Sequence, residues 1–342
     1  MIISIPKEIK PYETRVAATP ETVHKFIRLG LNVKIEQNAG QLAGFSDEEY
    51  RQAGAEICTN AQQTYSNANL ILKINAPQPQ EDIFLQSDMT IIGNFQALDT
   101  PERTKDFARL GVQCFALDLI PRISRAQSMD ILSSQNNLAG YRAVIEALNH
   151  FNKATPLMMT AAGTVPPAKV LVLGVGVAGL QAIATAKRLG AQVYASDIRP
   201  ETQEQTISLG AKFVEKLTSD LLNKIDIIIT IAITAGKKAP ILLKDSQLLA
   251  MSPNSIIIDM AADNGGNTEA TQADKIIIRH GIKIIGNSHL ATMIPNSASR
   301  LFANNIYNFI AAVFDKESQQ LTLNFQDELI RQTCICRNGE VL

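Results

Sequence analysis

The stretch from Lys169 to Asp197 constrains the fold more than any other, because it reads as a strand, a glycine turn, a helix and a second strand in close succession. Lys169-Val170-Leu171-Val172-Leu173 is a β-branched and aliphatic run of the kind buried on both faces of a parallel sheet. It leads at once into Gly174-Val175-Gly176-Val177-Ala178-Gly179, with Gly174, Gly176 and Gly179 at G-x-G-x-x-G spacing. In that arrangement the first glycine makes the tight turn, the second lets a pyrophosphate approach the backbone, and the third lets helix and strand pack closely. Leu180, Ile183, Ala184, Ala186, Lys187 and Leu189 supply the stripe of the helix, and Gly190 ends it. Gln192 to Ser196 reads as the second strand, with Asp197 at its end, roughly 20 residues beyond the glycines. A carboxylate there accepts hydrogen bonds from a ribose 2′-hydroxyl and repels a 2′-phosphate, which favours NAD(H) over NADP(H). Glycines alone would fit a tight turn in any α/β protein; with strand, helix and acid in register the reading is dinucleotide binding.

A chain of 342 residues with 46% hydrophobic content is long enough for two domains, each with a real core. A net charge of −1 argues against a nucleic-acid or anionic-membrane binder. Cys58, Cys114, Cys334 and Cys336 show no C-x-x-C spacing, which suits a reducing compartment, and His24, His150, His280 and His289 share no ligand spacing, so no metal site is expected. The start lacks a basic signal-peptide region, and the longest apolar run, Ile225 to Ala235, includes Asp226 and falls short of the roughly 20 residues a membrane span needs. The expectation is a soluble cytoplasmic protein with no membrane span of its own.

Residues 1 to about 120 alternate strand-like and helix-like segments: strands at Ile2 to Ile5, Asn32 to Glu36, Leu70 to Ile74, Thr90 to Gly93 and Val112 to Phe115, and helices from Pro20 and from Pro101, the latter capped by Thr100. The loop from Pro6 to Pro20 is dense in charge; Arg15 and Lys73 are candidates to face a cleft, and without a family in mind these are solvated loop charges with Thr19 as an N-cap. Arg122, Gln127, Asp130 and Ser133 lie in the most polar patch of the middle region. Together they form a donor-rich surface suited to a nicotinamide and its ribose, or equally a capped entrance to the helix from Ser133 through Leu148, whose apolar side reads as Leu138, Tyr141, Val144, Ile145 and Leu148. Beyond Asp197 the βα alternation continues to the strand Ser255 to Met260, which runs into Ala261 to Asn267, where ligands bind in open α/β sheets. Asp263 is there either an acid–base group or a turn aspartate. Pro295 to Phe314 reads as a long helix crossing back to the first domain, and Leu321 to Leu342 as strand and turn. The fold class is α/β, with two Rossmann-like, doubly wound parallel sheets joined by long helices: residues 1–132 with 305–342, and 133–304.

The charged N-terminal loop, the block from Arg122 to Tyr141, and Met158 to Ala168 leading into Gly174-Val175-Gly176-Val177-Ala178-Gly179-Leu180 together resemble the alanine dehydrogenase and proton-translocating transhydrogenase family. Within it the match is to the NAD(H)-binding domain I of the transhydrogenase alpha subunit, over nearly the whole chain. The resemblance implies a homodimer with NAD(H) in a cleft, Asp197 on the adenosine ribose, and Arg122, Gln127, Asp130 and Ser133 around the nicotinamide, Gln127 as a positioning amide. It also implies a peripheral position on the cytoplasmic face of the bacterial inner membrane. There a short alpha membrane subunit and an NADP(H)-binding beta subunit would be the partners, with hydride passing directly from NADH to NADP+.

Two departures from the family pattern qualify this. Between Phe213 and Ile225 the chain is short where the family carries a mobile loop that closes over NAD(H), which opens the reading of a non-catalytic NAD(H)-binding regulatory protein. Asp263, Lys73 and Arg15 match an acid and substrate-binding positions of alanine dehydrogenase, but Gln96 stands where its histidine is expected. Without that imidazole, a stand-alone amino-acid dehydrogenase lacks its general base.

Overall fold

Short isoleucine, leucine and valine runs build two parallel sheets, because such runs can bury both faces of a strand. The computed structural model describes residues 1–234 and 236–342; Ala235, the expected end of the apolar run, lies outside the described residues. The chain divides into two compact units, one of Met1–Gln135 with Thr292–Leu342 and one of Asn136–Ala291.

The sheet of the first unit runs in the order Glu340–Val341, Cys334–Arg337, Gln113–Ala116, Thr90–Asn94, Leu70–Asn75, Ile2–Ile5, Asn32–Glu36 and Glu56–Cys58. All neighbours are parallel except the two C-terminal strands. Helix Pro20–Arg28 starts where expected: Thr19 and Thr22 form a reciprocal capping box, proline stands in the first turn, and Val23 and Phe26 face the core. Thr100 precedes helix Pro101–Arg109 but does not cap it, since its hydroxyl donates back to the carbonyls of Phe95 and Gln96. The tail holds a helix that the sequence reading missed, Glu328–Thr333, whose N-cap Asp327 accepts the Leu329 amide at 2.9 Å. Helix Pro295–Val313 places Phe302, Ile306, Phe309 and Ile310 in the core of this unit. The unit therefore resumes at Thr292, ahead of the helix, whereas a return at residue 305 would cut through its buried face.

The sheet of the second unit runs Lys212–Phe213, Gln192–Ser196, Lys169–Leu173, Ile227–Thr230, Ile256–Asp259, Ile282–Gly286 and Ile276–Arg279, parallel except for the last pair. Helix Val177–Arg188 covers it with Ala178, Ala182, Ile183 and Ala186. The neighbouring helix, Ile131–His150, buries Ala139, Gly140, Ala143, Val144 and Ala147 and leaves Tyr141 41% exposed, so the face read from its large apolar residues is displaced. The cause is close approach: a Cβ on Gly140 would lie 2.1 Å from the Ala178 carbonyl oxygen, a spacing that only small residues allow. Met158–Thr160 and Gly163–Val165 form an antiparallel ribbon whose residues are all exposed. Among the described residues no helix is long and apolar enough to cross a membrane.

Candidate dinucleotide site

In the second unit each glycine of the turn has its own steric reason. Gly174 has φ +102°, a left-handed conformation that L side chains resist, and it carries the chain sharply out of the Lys169–Leu173 strand. A Cβ on Gly179 would stand 2.0 Å from the Gly174 carbonyl oxygen, so this position locks helix against strand. At Gly176 a Cβ would meet nothing within 4 Å. Open space at this one glycine, at the N-cap of a helix of 12 residues, gives a pyrophosphate the close approach to the backbone that it needs. The first amide to bond within the helix is that of Leu180, to the Gly176 carbonyl at 2.8 Å, which leaves the preceding amides of Val177, Ala178 and Gly179 to face an anion. The donor set and the space therefore fit a dinucleotide.

Asp197 follows the Gln192–Ser196 strand, and its Oδ2 accepts the Val175 amide at 2.7 Å, which ties the acid to the glycine turn. Arg199 donates to the same carboxylate through Nε at 3.0 Å and Nη2 at 2.9 Å. Burial opposes ionisation, but the Arg199 and Val175 hydrogen bonds outweigh it and hold the carboxyl at about 2. The sequence reading passed over Arg199, although its position two residues after Asp197 was visible.

The first unit carries the other expected residues. Asp130 caps the Ile131–His150 helix: its Oδ1 accepts the Ser133 amide at 2.8 Å and its Oδ2 the Ser133 hydroxyl at 2.5 Å. The entrance is pinned to helix Pro295–Val313, since Ser134 donates to Asn305 Oδ1 at 2.7 Å and Asn305 Nδ2 to the Ser128 carbonyl at 2.8 Å. Arg122 and Gln127 are exposed, and among the described residues neither side chain makes a hydrogen bond or ion pair. Of the four, then, Asp130 and Ser133 are bonded to each other, and Arg122 and Gln127 are left to a ligand.

Arg15 and Lys73 are not solvated loop charges. Arg15 grips Glu13 through Nε and Nη2, each at 2.7 Å, and donates to Gln135 Oε1 at 2.8 Å. Lys73, 1% exposed, reaches Glu81 at 2.6 Å and Glu8 at 3.7 Å. Burial would raise Glu13, but Arg15 and Asn75 hold it below the usual carboxylate range. Glu8 goes the other way: burial pushes it up to about 7 against the pull of Lys73, with Glu13 and Glu81 adding repulsion. Both cations are thus taken up by the chain's own carboxylates.

Asp263 sits exposed on a turn after Ile256–Asp259, and its amide donates to Ser288 Oγ at 3.1 Å. His289 Nε2 lies 3.3 Å from Asp274 and 4.0 Å from Asp263. Ligand atoms of these three residues lie within 4.8 Å of one another, a grouping from distant segments that linear spacing could not reveal. The buried acid of this edge is Asp259, which organises the loop by accepting the amides of Ala261 and Asn267 and the Thr271 hydroxyl.

A family model described as alanine dehydrogenase/PNT, N-terminal domain, matches residues 4–139, and its C-terminal counterpart matches residues 143–342. The first of the separately encoded pieces of the NAD(P) transhydrogenase alpha subunit of Rhodospirillum rubrum is 42% identical over 376 positions that take in 100% of this chain and 98% of the relative. Those 376 positions exceed the 342 residues of this chain by 34, residues for which it has no counterpart. A crystal structure of transhydrogenase from Sinorhizobium meliloti is 43% identical and superposes with a TM-score of 0.94 over the whole of both chains. An L-alanine dehydrogenase structure is 26% identical, with a TM-score of 0.89 over 100% of this chain and 97% of that one.

Proposed function

The chain belongs to the alanine dehydrogenase/PNT family and is an NAD(H)-binding oxidoreductase, and from that premise we propose that it is the NAD(H) subunit of a proton-translocating NAD(P)+ transhydrogenase. The observation that carries this reading is the open space at Gly176 at a helix N-terminus, with Asp197 bonded to the same turn. When bound, NADH supplies the hydride, which passes directly to NADP+ on a partner subunit, coupled to proton movement in the membrane subunits. Such a transfer needs no side-chain proton donor, so the work left to the chain is orientation and exclusion of water.

Val175 to Gly179 cradle the pyrophosphate and Asp197 takes the adenosine ribose. Arg122 and Gln127, free of internal partners among the described residues, hold the nicotinamide and its ribose, while Asp130 and Ser133 fix the helix start from which they project. Self-satisfied Arg15 and Lys73, together with Gln96 in place of an imidazole, weigh against an amino-acid dehydrogenase. The exposed ribbon Met158–Val165, with Met159 77% exposed, favours a homodimer, because a lone two-stranded ribbon is barely stable until a second surface covers it. The partners are a short alpha membrane subunit and an NADP(H)-binding beta subunit, which places the protein peripherally on the cytoplasmic face of the membrane.

The test is calorimetric titration with NADH and NADPH, followed by a hydride-transfer assay after adding the NADP(H)-binding domain of a transhydrogenase. Preferential NADH binding with transfer on mixing is expected. Binding without transfer would leave a regulatory protein, and equal affinity for NADPH would overturn the role given to Asp197.

A further inference from the structure

Arg199 stands two residues beyond the carboxylate proposed for the adenosine ribose, and it changes what a ribose must do to bind. The Asp197 carboxylate accepts four hydrogen bonds: Oδ2 takes the Val175 amide at 2.7 Å and Arg199 Nη2 at 2.9 Å, and Oδ1 takes the Arg199 amide at 2.9 Å and Arg199 Nε at 3.0 Å. An ionised carboxylate offers about four lone-pair positions, so none is left for a hydroxyl. The guanidinium also covers the group: the Asp197 side chain is 7% exposed, whereas that of Arg199 is 50% exposed.

Two of the four donors cannot leave. The Val175 amide is fixed by the Gly174 turn, and the Arg199 backbone is anchored where its carbonyl accepts the Thr202 hydroxyl at 2.6 Å, at the start of helix Glu201–Ser208. Only Nε and Nη2 can move, and the half-exposed side chain has solvent to move into. A ribose that reaches Asp197 therefore takes the place of the guanidinium fork, leaving both backbone amides where they are.

We propose that Arg199 is a latch on the adenosine-ribose subsite, clamped on Asp197 in the free protein and swung off by NAD(H), so that the strength of the Arg199–Asp197 pair sets the affinity. This rests on the reading of Asp197 as the ribose ligand. In the closed state the latch keeps the carboxylate oriented and ionised against burial, and it lowers apparent affinity by the fraction of molecules closed. For a bidentate pair this exposed the factor is modest, about three- to fivefold.

Simple removal of Arg199 would confound two effects, since its charge also attracts an anionic dinucleotide. Arg199→Lys separates them: it keeps the charge but cannot form the planar fork. NADH titrations of the full chain, Arg199→Lys and Asp197→Asn decide the matter, with thermal unfolding of each as the check on folding. The expected result is a dissociation constant about three- to fivefold lower for Arg199→Lys, with a faster association rate, and at least tenfold higher for Asp197→Asn. An unchanged or weaker affinity in Arg199→Lys, alongside a weakened Asp197→Asn, overturns the latch and leaves the ribose assignment standing. Unchanged affinity in a folded Asp197→Asn removes the ribose assignment and the latch with it.

Discussion

Glu8 lies against Lys73, at 3.7 Å, with its side chain 4% exposed, and burial lifts its proton affinity from the ordinary 4.5 to about 7. Between those values the folded chain keeps a proton that the unfolded chain has released. The resulting stabilisation is fully present below pH 4.5 and is lost as the pH rises through 7. The interval, at about 1.4 kcal/mol per pH unit, amounts to about 3 kcal/mol. Glu8→Gln removes the titration while keeping the shape of the protonated side chain and the carbonyl that accepts the Ile74 amide, a bond of 2.7 Å in the native chain. Denaturant unfolding of both proteins from pH 5 to 8.5, with hydrogen exchange of the Leu70–Asn75 strand reporting on the first unit, isolates the difference because every other group titrates alike. Relative to the wild type, the variant should gain about 3 kcal/mol across that range, most of it below pH 7.5. Parallel curves would refute the argument and show that Lys73 stabilises an ionised Glu8 outright.

The glycine turn allows fold and binding to be separated. Gly176→Ala, at φ −84° with open space around it, should leave the melting temperature within a degree or two while weakening NADH at least tenfold; Gly179→Ala, with its Cβ 2.0 Å from a carbonyl, should lower the melting temperature by several degrees as well. Equal melting losses in the two variants would contradict the assignment of separate roles. Arg122→Ala should weaken NADH by about tenfold at low salt and less in 0.5 M salt, with stability unchanged because the side chain has no partner among the described residues; loss of stability without loss of affinity would remove Arg122 from the site.

What the sequence conveyed well was local. Lys169 to Asp197 could be read because strand, turn, helix and acid are contiguous and each follows its own periodicity. Helix Ile131–His150 was placed but turned the wrong way, since burial there follows backbone approach at Gly140 and a run of alanines, whereas a stripe reading gives weight to large side chains such as Tyr141. The Glu8–Lys73–Glu81 and Glu13–Arg15–Gln135 contacts were hidden for another reason. A charge-dense loop looks solvated until the topology folds it over strand Leu70–Asn75 and the Gln135 turn. Asp130 and Ser133 show the reverse, in that the cap reading and the site reading hold for the same residues, because a helix must be capped before it can present Arg122 and Gln127 from a fixed entrance.

The first unit is assembled from both ends of the chain, with strand Cys334–Arg337 pairing against Gln113–Ala116 across more than two hundred residues. On the ribosome the order of folding is therefore inverted. The second unit is complete once Ala291 has emerged, while the first, though synthesised earlier, waits for helix Pro295–Val313 and two edge strands until the last residues leave the exit tunnel. Until then the faces that Phe302, Ile306 and Phe309 will cover stay open, so a premature stop after the second unit would spoil the domain that had already been translated.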